Sequence, residues 1–326
     1  MRGPTVVVLR AIGLGDMLTG LPAMALLRRA LPGHRIVGAV PAPYAGLLVG
    51  AGLLDDVLPT ADLGPLGGAP SAPDLAVDLH GNRRPSRDPL RALRPRRLIG
   101  FVRPGDDVPP GLEASIWDDD EHEVARWCRL LREHLPGVGE APPVWSVLPP
   151  PPPVLRGATV LHPGAAAGSR RWPVERWAAV ARVLAAEGHR LVVTGTPGEQ
   201  SLVDAVAGPV GARTATRLDV EALFGLVAAA SLVVSADTGV AHAASAFGTP
   251  SVVLFGPVSP ARWGPPDRPR HRALWPVPDP GYRGDPHGSD PDPVLLQISV
   301  ADVLVAVAHA LQGAAADRAA SVVGAP

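Results

Sequence analysis

The chain has 326 residues, 46% of them hydrophobic, which is enough for two domains with sizeable cores. The net charge of −1 excludes the strong positive field of nucleic-acid binding proteins, and all 30 basic residues are arginine. Cys128 is the only cysteine, which excludes an internal disulfide and favours a reducing compartment. Arg10 and Asp16 interrupt the apolar start of the chain, which predicts no signal peptide and a cytosolic protein.

The N-terminal half opens with a predicted strand, helix and strand over residues 6–9, 17–31 and 36–40. The first turn contains Gly13, Gly15 and Asp16. Leu18 occupies the third glycine position of a G-x-G-x-x-G fingerprint, which disfavours a dinucleotide site. Asp16 fits two roles, a helix cap or a general base at the end of a strand.

A further predicted strand, residues 75–78, ends in polar side chains. It is expected to bring Asp78 or His80 near the same sheet edge as Asp16. The arginine-rich run over residues 83–97 favours a solvated loop, with binding of an anionic acceptor as the alternative.

An acidic run over residues 118–123 resembles a metal-binding motif. The run leads into a predicted amphipathic helix that carries Val124, Trp127, Leu130 and Leu131. Because acidic residues are favoured at helix N-termini, we prefer a helix start to a metal site here.

Five consecutive prolines, residues 149–153, favour an extended spacer and predict a domain boundary. We therefore expect one domain over residues 1–148 and a second over 149–312. The second ends in a helix at about 299–312, followed by a flexible tail over residues 313–326. Its predicted strands are residues 158–161, 191–193, 232–234 and 252–255.

Glycine-bearing or polar turns follow three of these strands. The first turn is a glycine-rich loop with arginines, the second holds an acidic residue, and the third is the start of a helix. Each turn alone also fits a purely structural role without a ligand, either a surface loop or a helix cap. Together, at one edge of a parallel sheet, they predict a site for a nucleoside diphosphate, because free backbone N–H groups at a helix N-terminus bind phosphate. The candidate residues are Gly164, Arg170, Glu199, Asp237, Thr238, Gly239 and His242.

An ordered set of motifs spans most of the chain and resembles glycosyltransferase family 9, the heptosyltransferase-like enzymes. The motifs are Gly15-Asp16-Met17-Leu18, Asp78-Leu-His-Gly81, His162-Pro-Gly-Ala165, Arg170-Arg-Trp-Pro173, Gly198-Glu199, Asp237-Thr-Gly-Val-Ala-His242 and Leu254-Phe-Gly-Pro257. The resemblance implies an α/β protein with the GT-B fold, in which two Rossmann-like parallel-sheet domains face a central cleft.

The resemblance also implies roles for residues. Asp16 would be the catalytic base of an inverting transfer, with Gly15, Asp78 and His80 on the acceptor side. The seven residues of the second half would bind the donor: Glu199 holds the ribose, and the others surround the diphosphate and the sugar. Arg170 occupies a position where the family usually has lysine, which keeps the charge but changes its shape. Many relatives carry cysteines within the segment over residues 264–293, and this chain has none there.

The implied co-substrate is a nucleotide sugar, by family default ADP-heptose, with no cofactor and no metal. The acceptor would be a glycan, a lipid-linked sugar or a small molecule, and a lipid-linked acceptor would bring the cytoplasmic enzyme to the inner face of the membrane. Two other functions remain open on the residues alone. One is a sugar-nucleotide epimerase, which would need a second group such as Asp78, His80 or His162 near the anomeric carbon. The other is a non-catalytic sugar-nucleotide binding protein.

Overall fold

The computed structural model describes residues 3–277, 279 and 281–323. The chain divides into two compact units, unit 1 over Met1–Pro149 and unit 2 over Pro150–Pro326. The division falls inside the five-proline run, where the fixed backbone of proline leaves few hydrogen-bond donors.

Unit 1 alternates strands and helices. Its strands are β1 (Thr5–Leu9), β2 (Arg35–Val40), β3 (Asp56–Pro59), β4 (Leu75–Asp78), β5 (Arg97–Val102) and β6 (Leu112–Ile116). Its helices are α1 (Leu14–Thr19), α2 (Leu21–Ala30), α3 (Ala45–Gly50), α4 (Arg84–Ala92) and α5 (Glu123–His134).

Unit 2 repeats this alternation. Its strands are β7 (Thr159–His162), β8 (Leu191–Thr194), β9 (Arg213–Ala215), β10 (Leu232–Ala236), β11 (Ser251–Leu254) and β12 (His271–Leu274). Its helices are α6 (Val174–Ala186), α7 (Gln200–Ala207), α8 (Val220–Ala229), α9 (Gly239–Phe247), α10 (Pro260–Trp263), α11 (Pro293–Gln297) and α12 (Val300–Val323).

Each unit contains one six-stranded parallel sheet, and the two sheets share one topology. The order is β3-β2-β1-β4-β5-β6 in unit 1 and β9-β8-β7-β10-β11-β12 in unit 2. In both, the strand order reverses beside the first strand, between β1 and β4 and between β7 and β10. Ligands of such sheets bind at the carboxyl ends of the strands at this point. The predicted α/β class with two Rossmann-like sheets is confirmed.

The central strands are apolar runs because both faces of each sheet are covered by helices. The side chains of β1 from Val6 to Leu9 are fully buried. In unit 2, Val233 and Val234 of β10 are equally buried, and helices α6, α7 and α12 pack on one face of that sheet. These rigid strands fix where the turns at their carboxyl ends lie.

The single helix predicted over residues 17–31 is wrong, because two helices, α1 and α2, meet there at Gly20. The guanidinium of Arg10 fills the space beside Gly20, where a Cβ would lie 2.5 Å from its Nε. The side chain of Arg10 thus binds the last turn of α1 and separates it from α2.

Two further sequence predictions differ from the structure. The arginine-rich run forms α4 instead of a loop, and Arg87 is buried there with Nη1 2.6 Å from the carbonyl of Phe101. The terminal helix continues past residue 312 to Val323, because alanine favours helix and Asp317 pairs with Arg270 at 2.6 Å. The final residues of the predicted tail, 324–326, lie outside the described residues.

Within the described part of the chain, one helical segment, Val300–Ala319, is long and apolar enough to cross a membrane. Its mean hydropathy is 1.3. In this structure its inner face packs into the core of unit 2 through Val303, Ala306, Val307 and Ala310. Core helices often have such a composition, so the segment alone is weak evidence for a membrane span.

Candidate functional site

Asp16 lies in the first turn of α1, directly after β1 and at the point where the strand order of unit 1 reverses. Its side chain is partly exposed and lies near Tyr44, which follows β2. Burial raises the pKa of that phenol, and the charge of Asp16 raises it further. Gly15 is its neighbour in α1. The carboxylate therefore lies at the ligand-binding edge of the sheet.

Asp78 ends β4 and is fully buried. Its Oδ1 accepts hydrogen bonds from the backbone N–H groups of His80 and Gly81, at 3.0 and 3.3 Å, and its Oδ2 accepts one from Ser86 Oγ at 2.6 Å. Burial raises the pKa of this carboxyl to about 6, against the opposing effect of these hydrogen bonds. Asp78 therefore stabilises the turn after β4 through hydrogen bonds to the backbone of that turn.

His80 follows Asp78 at the same edge of the sheet. Burial, together with the positive charge of Arg10, lowers the pKa of its imidazole. Its buried Nδ1 has no hydrogen-bond partner among the described residues. His80 therefore presents a neutral ring at the reversal point, and its contact with an acceptor stays a prediction.

In unit 2, Gly164 and Glu199 come together from the turns after β7 and β8. Glu199 Oε2 accepts hydrogen bonds from the backbone N–H and the hydroxyl of Thr196, at 2.8 and 2.9 Å, so it caps its own helix. A Cβ at Gly164 would lie 2.5 Å from Glu199 Cδ. The absence of a side chain at position 164 thus leaves room for the carboxylate, which is half-buried.

The loop after β7 brings Arg170 against the turn after β10. Arg170 Nη1 donates to the carbonyl of Asp237 at 3.2 Å. Its Nε is buried and has no hydrogen-bond partner among the described residues. Guanidinium groups bind phosphate oxygens through such donors, and the contact of Arg170 with an anion stays a prediction.

Helix α9 begins at Gly239, with Thr238 as its N-cap residue. The hydroxyl of Thr238 makes no capping bond and, within the described residues, its buried oxygen has no partner. The free N–H groups of this first turn point to the same edge as Arg170. His242, one turn along, is mostly buried with its ring 5.9 Å from that of Trp263. These groups lie at the helix end for which the sequence predicts anion binding, and that role stays a prediction.

Within the segment over residues 264–293, Gly288 and Asp292 pack on the arginine loop. Ser169 donates its backbone N–H to the carbonyl of Gly288 at 2.9 Å and accepts one from the N–H of Asp292 at 3.1 Å. Asp292 Oδ2 in turn accepts a hydrogen bond from Tyr282 Oη at 2.9 Å. The part of this segment near residues 282–292 therefore fixes the backbone next to Arg170, a role that the sequence did not reveal.

The acidic run over residues 118–123 is used in contacts with arginines and backbone groups. Arg103 pairs with Asp119 at 3.1 Å, and Arg129 pairs with Glu121 at 2.8 Å. Helix α5 begins at Glu123, as expected for an acidic helix start. Within the described ranges, no group of three His, Cys, Asp or Glu residues is arranged to hold a metal ion.

The sequence has relatives among known proteins. The sequence matches the model of glycosyltransferase family 9 (heptosyltransferase) over residues 118–275. It is 23% identical over 292 residues to lipopolysaccharide heptosyltransferase 1 of Escherichia coli O18:K1:H7, which covers 79% of this chain and 88% of that protein. Over these residues the chain is similar to glycosyltransferase family 9, and its heptosyltransferase relatives support a protein of that kind. It is thus a glycosyltransferase that uses a nucleotide sugar.

Solved structures show the same fold. The E. coli ADP-heptose lipopolysaccharide heptosyltransferase II superposes with a TM-score of 0.74 at 20% identity, covering 94% of this chain and 98% of that one. An E. coli heptosyltransferase with ADP superposes with a TM-score of 0.68 at 18% identity, covering 92% and 98%. The fold is therefore GT-B, as predicted.

Proposed function

We propose that this family 9-like enzyme transfers a sugar, by default heptose, from an ADP-linked donor to an acceptor hydroxyl with inversion of configuration. The observation that carries the proposal is the chemistry at the two reversal points. Unit 1 offers a partly exposed carboxylate, Asp16, and unit 2 offers Arg170 beside the open N-terminus of α9. The related structures with ADP support an adenine nucleotide.

In this proposal Asp16 accepts the proton of the acceptor hydroxyl as its oxygen attacks the anomeric carbon. The nucleoside diphosphate leaves from the opposite side. Arg170 and the N–H groups at Thr238 and Gly239 stabilise the negative charge that develops on it, so the reaction needs no metal. Glu199 holds the ribose and His242 lies near the transferred sugar. The relatives' names suggest an acceptor in the lipopolysaccharide core, reached at the inner face of the membrane.

The test of the donor site is calorimetric titration with ADP, UDP, GDP and dTDP, with and without Mg²⁺. We expect ADP to bind without Mg²⁺ and Glu199→Ala to weaken its binding about tenfold, the effect of one charge-assisted hydrogen bond. The control is Glu175→Ala, which removes an exposed acidic residue from the first turn of α6 and should leave the affinity unchanged. Failure of all four nucleotides to bind would refute the donor site.

The test of the base is ADP release from ADP-heptose with heptose-free lipopolysaccharide as the acceptor. Asp16→Asn should lower kcat by about 10²–10⁴-fold, because general base catalysis contributes about that factor, and should leave the ADP affinity within about twofold. Asp88→Asn is the control, since this exposed aspartate pairs with Arg84 on its own helix, α4. Transfer at the wild-type rate by Asp16→Asn would rule out Asp16 as the base. Product analysis with ADP-heptose alone tests the epimerase alternative.

A further inference from the structure

Arg10 is a charged residue in the interior of unit 1. It directly follows the apolar strand β1, and its side chain is 0% exposed. Burying a guanidinium is costly unless its donors and its charge are matched, and burial here lowers its pKa. A group that costs so much to bury calls for a function that an apolar residue cannot supply.

The guanidinium of Arg10 joins the two turns that flank the reversal point. Nε donates to the carbonyl of Asp16 at 2.7 Å, and Nη2 donates to the same carbonyl and to Thr19 Oγ1, the latter at 3.0 Å. Nη1 donates to the carbonyl of Leu79, between Asp78 and His80. One planar fork thus fixes the backbone of Asp16 relative to the end of β4.

Helix α5 supplies the countercharge. Glu123 Oε1 lies 4.0 Å from Arg10 Nη2 and accepts a hydrogen bond from Trp127 Nε1 at 2.7 Å. The ring of Trp127 lies under the Arg10 guanidinium, with its centroid 4.8 Å away. Glu123 also pairs with Arg126, which stacks on Trp117. Glu123 and Trp127 therefore hold Arg10 in one orientation.

We propose that Arg10, held by Glu123 of α5, is the positioning residue that sets the orientation of Asp16 for proton abstraction. The proposal rests on the function proposed above. In this proposal Arg10 does not touch the substrate but acts through the backbone carbonyl of Asp16. That carbonyl accepts hydrogen bonds from Nε and Nη2 of Arg10 and from the hydroxyl of Thr19. Four charged or titratable groups surround Arg10: Asp16 on α1, Glu123 on α5, Asp78 on β4 and His80 after it.

The first experiment separates the shape of Arg10 from its charge. Arg10→Lys keeps the charge but loses the fork, and it should lower kcat about 10–10²-fold with donor KM changed less than about twofold, because small misplacements of a reacting group cost about that much. Glu123→Gln should act in the same direction. The control is Arg97→Lys, at a partly exposed arginine that pairs with Glu113 on the neighbouring strand, and its kcat should equal that of the wild type.

The second experiment measures kcat as a function of pH. Arg10→Met removes a positive charge near Asp16, which favours the protonated carboxyl, so the acid limb of the profile should move to higher pH. The limb should not move in Arg10→Lys. A purely structural role would lower the active fraction by the same factor at every pH and would leave the limb in place. If Arg10→Met does not fold, the kcat values of Arg10→Lys and Glu123→Gln decide.

The outcomes keep this inference apart from the proposed function. The positioning role is overturned if Arg10→Lys and Glu123→Gln have the kcat of the wild type, or if the acid limb does not move in a folded Arg10→Met. In either case, an inactive Asp16→Asn would still support Asp16 as the base. Full activity in Asp16→Asn would instead refute the base assignment, whatever the Arg10 variants do.

Discussion

Asp78 is the residue whose environment most directly predicts a dependence of stability on pH. Burial raises its pKa to about 6 in the folded protein from an ordinary value of 3.8, so between about pH 4 and 6 the native state holds a proton that the unfolded state has lost. The protonated Asp78 carboxyl therefore contributes to the free energy of unfolding at low pH, and this contribution is lost as the pH rises through 6. Asp78→Asn cannot ionise, and relative to the wild type it should gain about 3 kcal/mol of unfolding free energy between pH 4 and 7.

The measurement is the free energy of urea unfolding at several pH values, with hydrogen exchange of peptides from β1 and β4 as the probe of unfolding. The asparagine oxygen can still accept the hydrogen bonds of His80 and Gly81, so the turn should persist. Asp88→Asn serves as the control, because it makes the same substitution at an exposed carboxyl of α4 and so separates the effect of burial from that of the substitution itself. A flat difference for Asp78→Asn would show that the carboxyl has the same pKa in the folded and unfolded states.

At the residue scale, the sequence predicted where site residues lie along the strands better than it predicted their hydrogen-bond partners. Apolar strands followed by glycine and polar residues identify strand ends, so Asp16, Arg170 and Asp237 were placed at the correct edges. The partners of Arg10 were not predictable, because Leu79 lies 69 residues away and no local pattern links them. The signal that was available is the arginine itself, which directly follows the four apolar residues 6–9.

The helices were less predictable than the strands because their ends depend on distant contacts. The break between α1 and α2 has a local signal, Pro22 in the first turn of α2, beside the contact of Arg10 with Gly20. The extra length of α12 comes with its contacts to the loop before β12. There, Gly313 lies against the backbone of Pro269 and Arg270, so that a Cβ would lie 2.8 Å from the nitrogen of Arg270 and nearer still to Pro269. A backbone obstacle cannot move aside as a flexible side chain can.

This packing predicts opposite signs for one substitution at two helical glycines. Gly313→Ala should destabilise unit 2 by about 1–3 kcal/mol, as overpacking does. Gly46→Ala in α3, where no atom lies within 4 Å of the added Cβ, should stabilise unit 1 by up to about 1 kcal/mol through helix propensity. Thermal unfolding monitored by hydrogen exchange in each unit measures both. A stabilised Gly313→Ala would mean that α12 does not pack on Pro269 in solution.

At the scale of the whole molecule, the two units repeat one strand order, and each has its own core. The sequence predicted this duplication because both halves begin with a buried strand and a glycine-bearing turn. The family match covers the proposed donor residues but not Asp16, Asp78 or His80. The two halves of the proposed reaction therefore rest on different support, and a measurement that reports on each unit separately is the most informative.

Nucleotide binding provides that measurement, because a ligand stabilises only the structure that holds its site. With ADP at 100 times its dissociation constant, the site in unit 2 should gain about 2.7 kcal/mol of stability. For amides that exchange by unfolding of unit 2, such as those of β7 and β10, exchange should slow about 100-fold. Amides of β1 and β4 in unit 1 should exchange at the same rate with and without ADP.

At the same ADP concentration, Glu199→Ala should show less protection. Equal protection of both units would contradict independent unfolding, whereas protection of unit 1 alone would place the nucleotide in the wrong half of the chain.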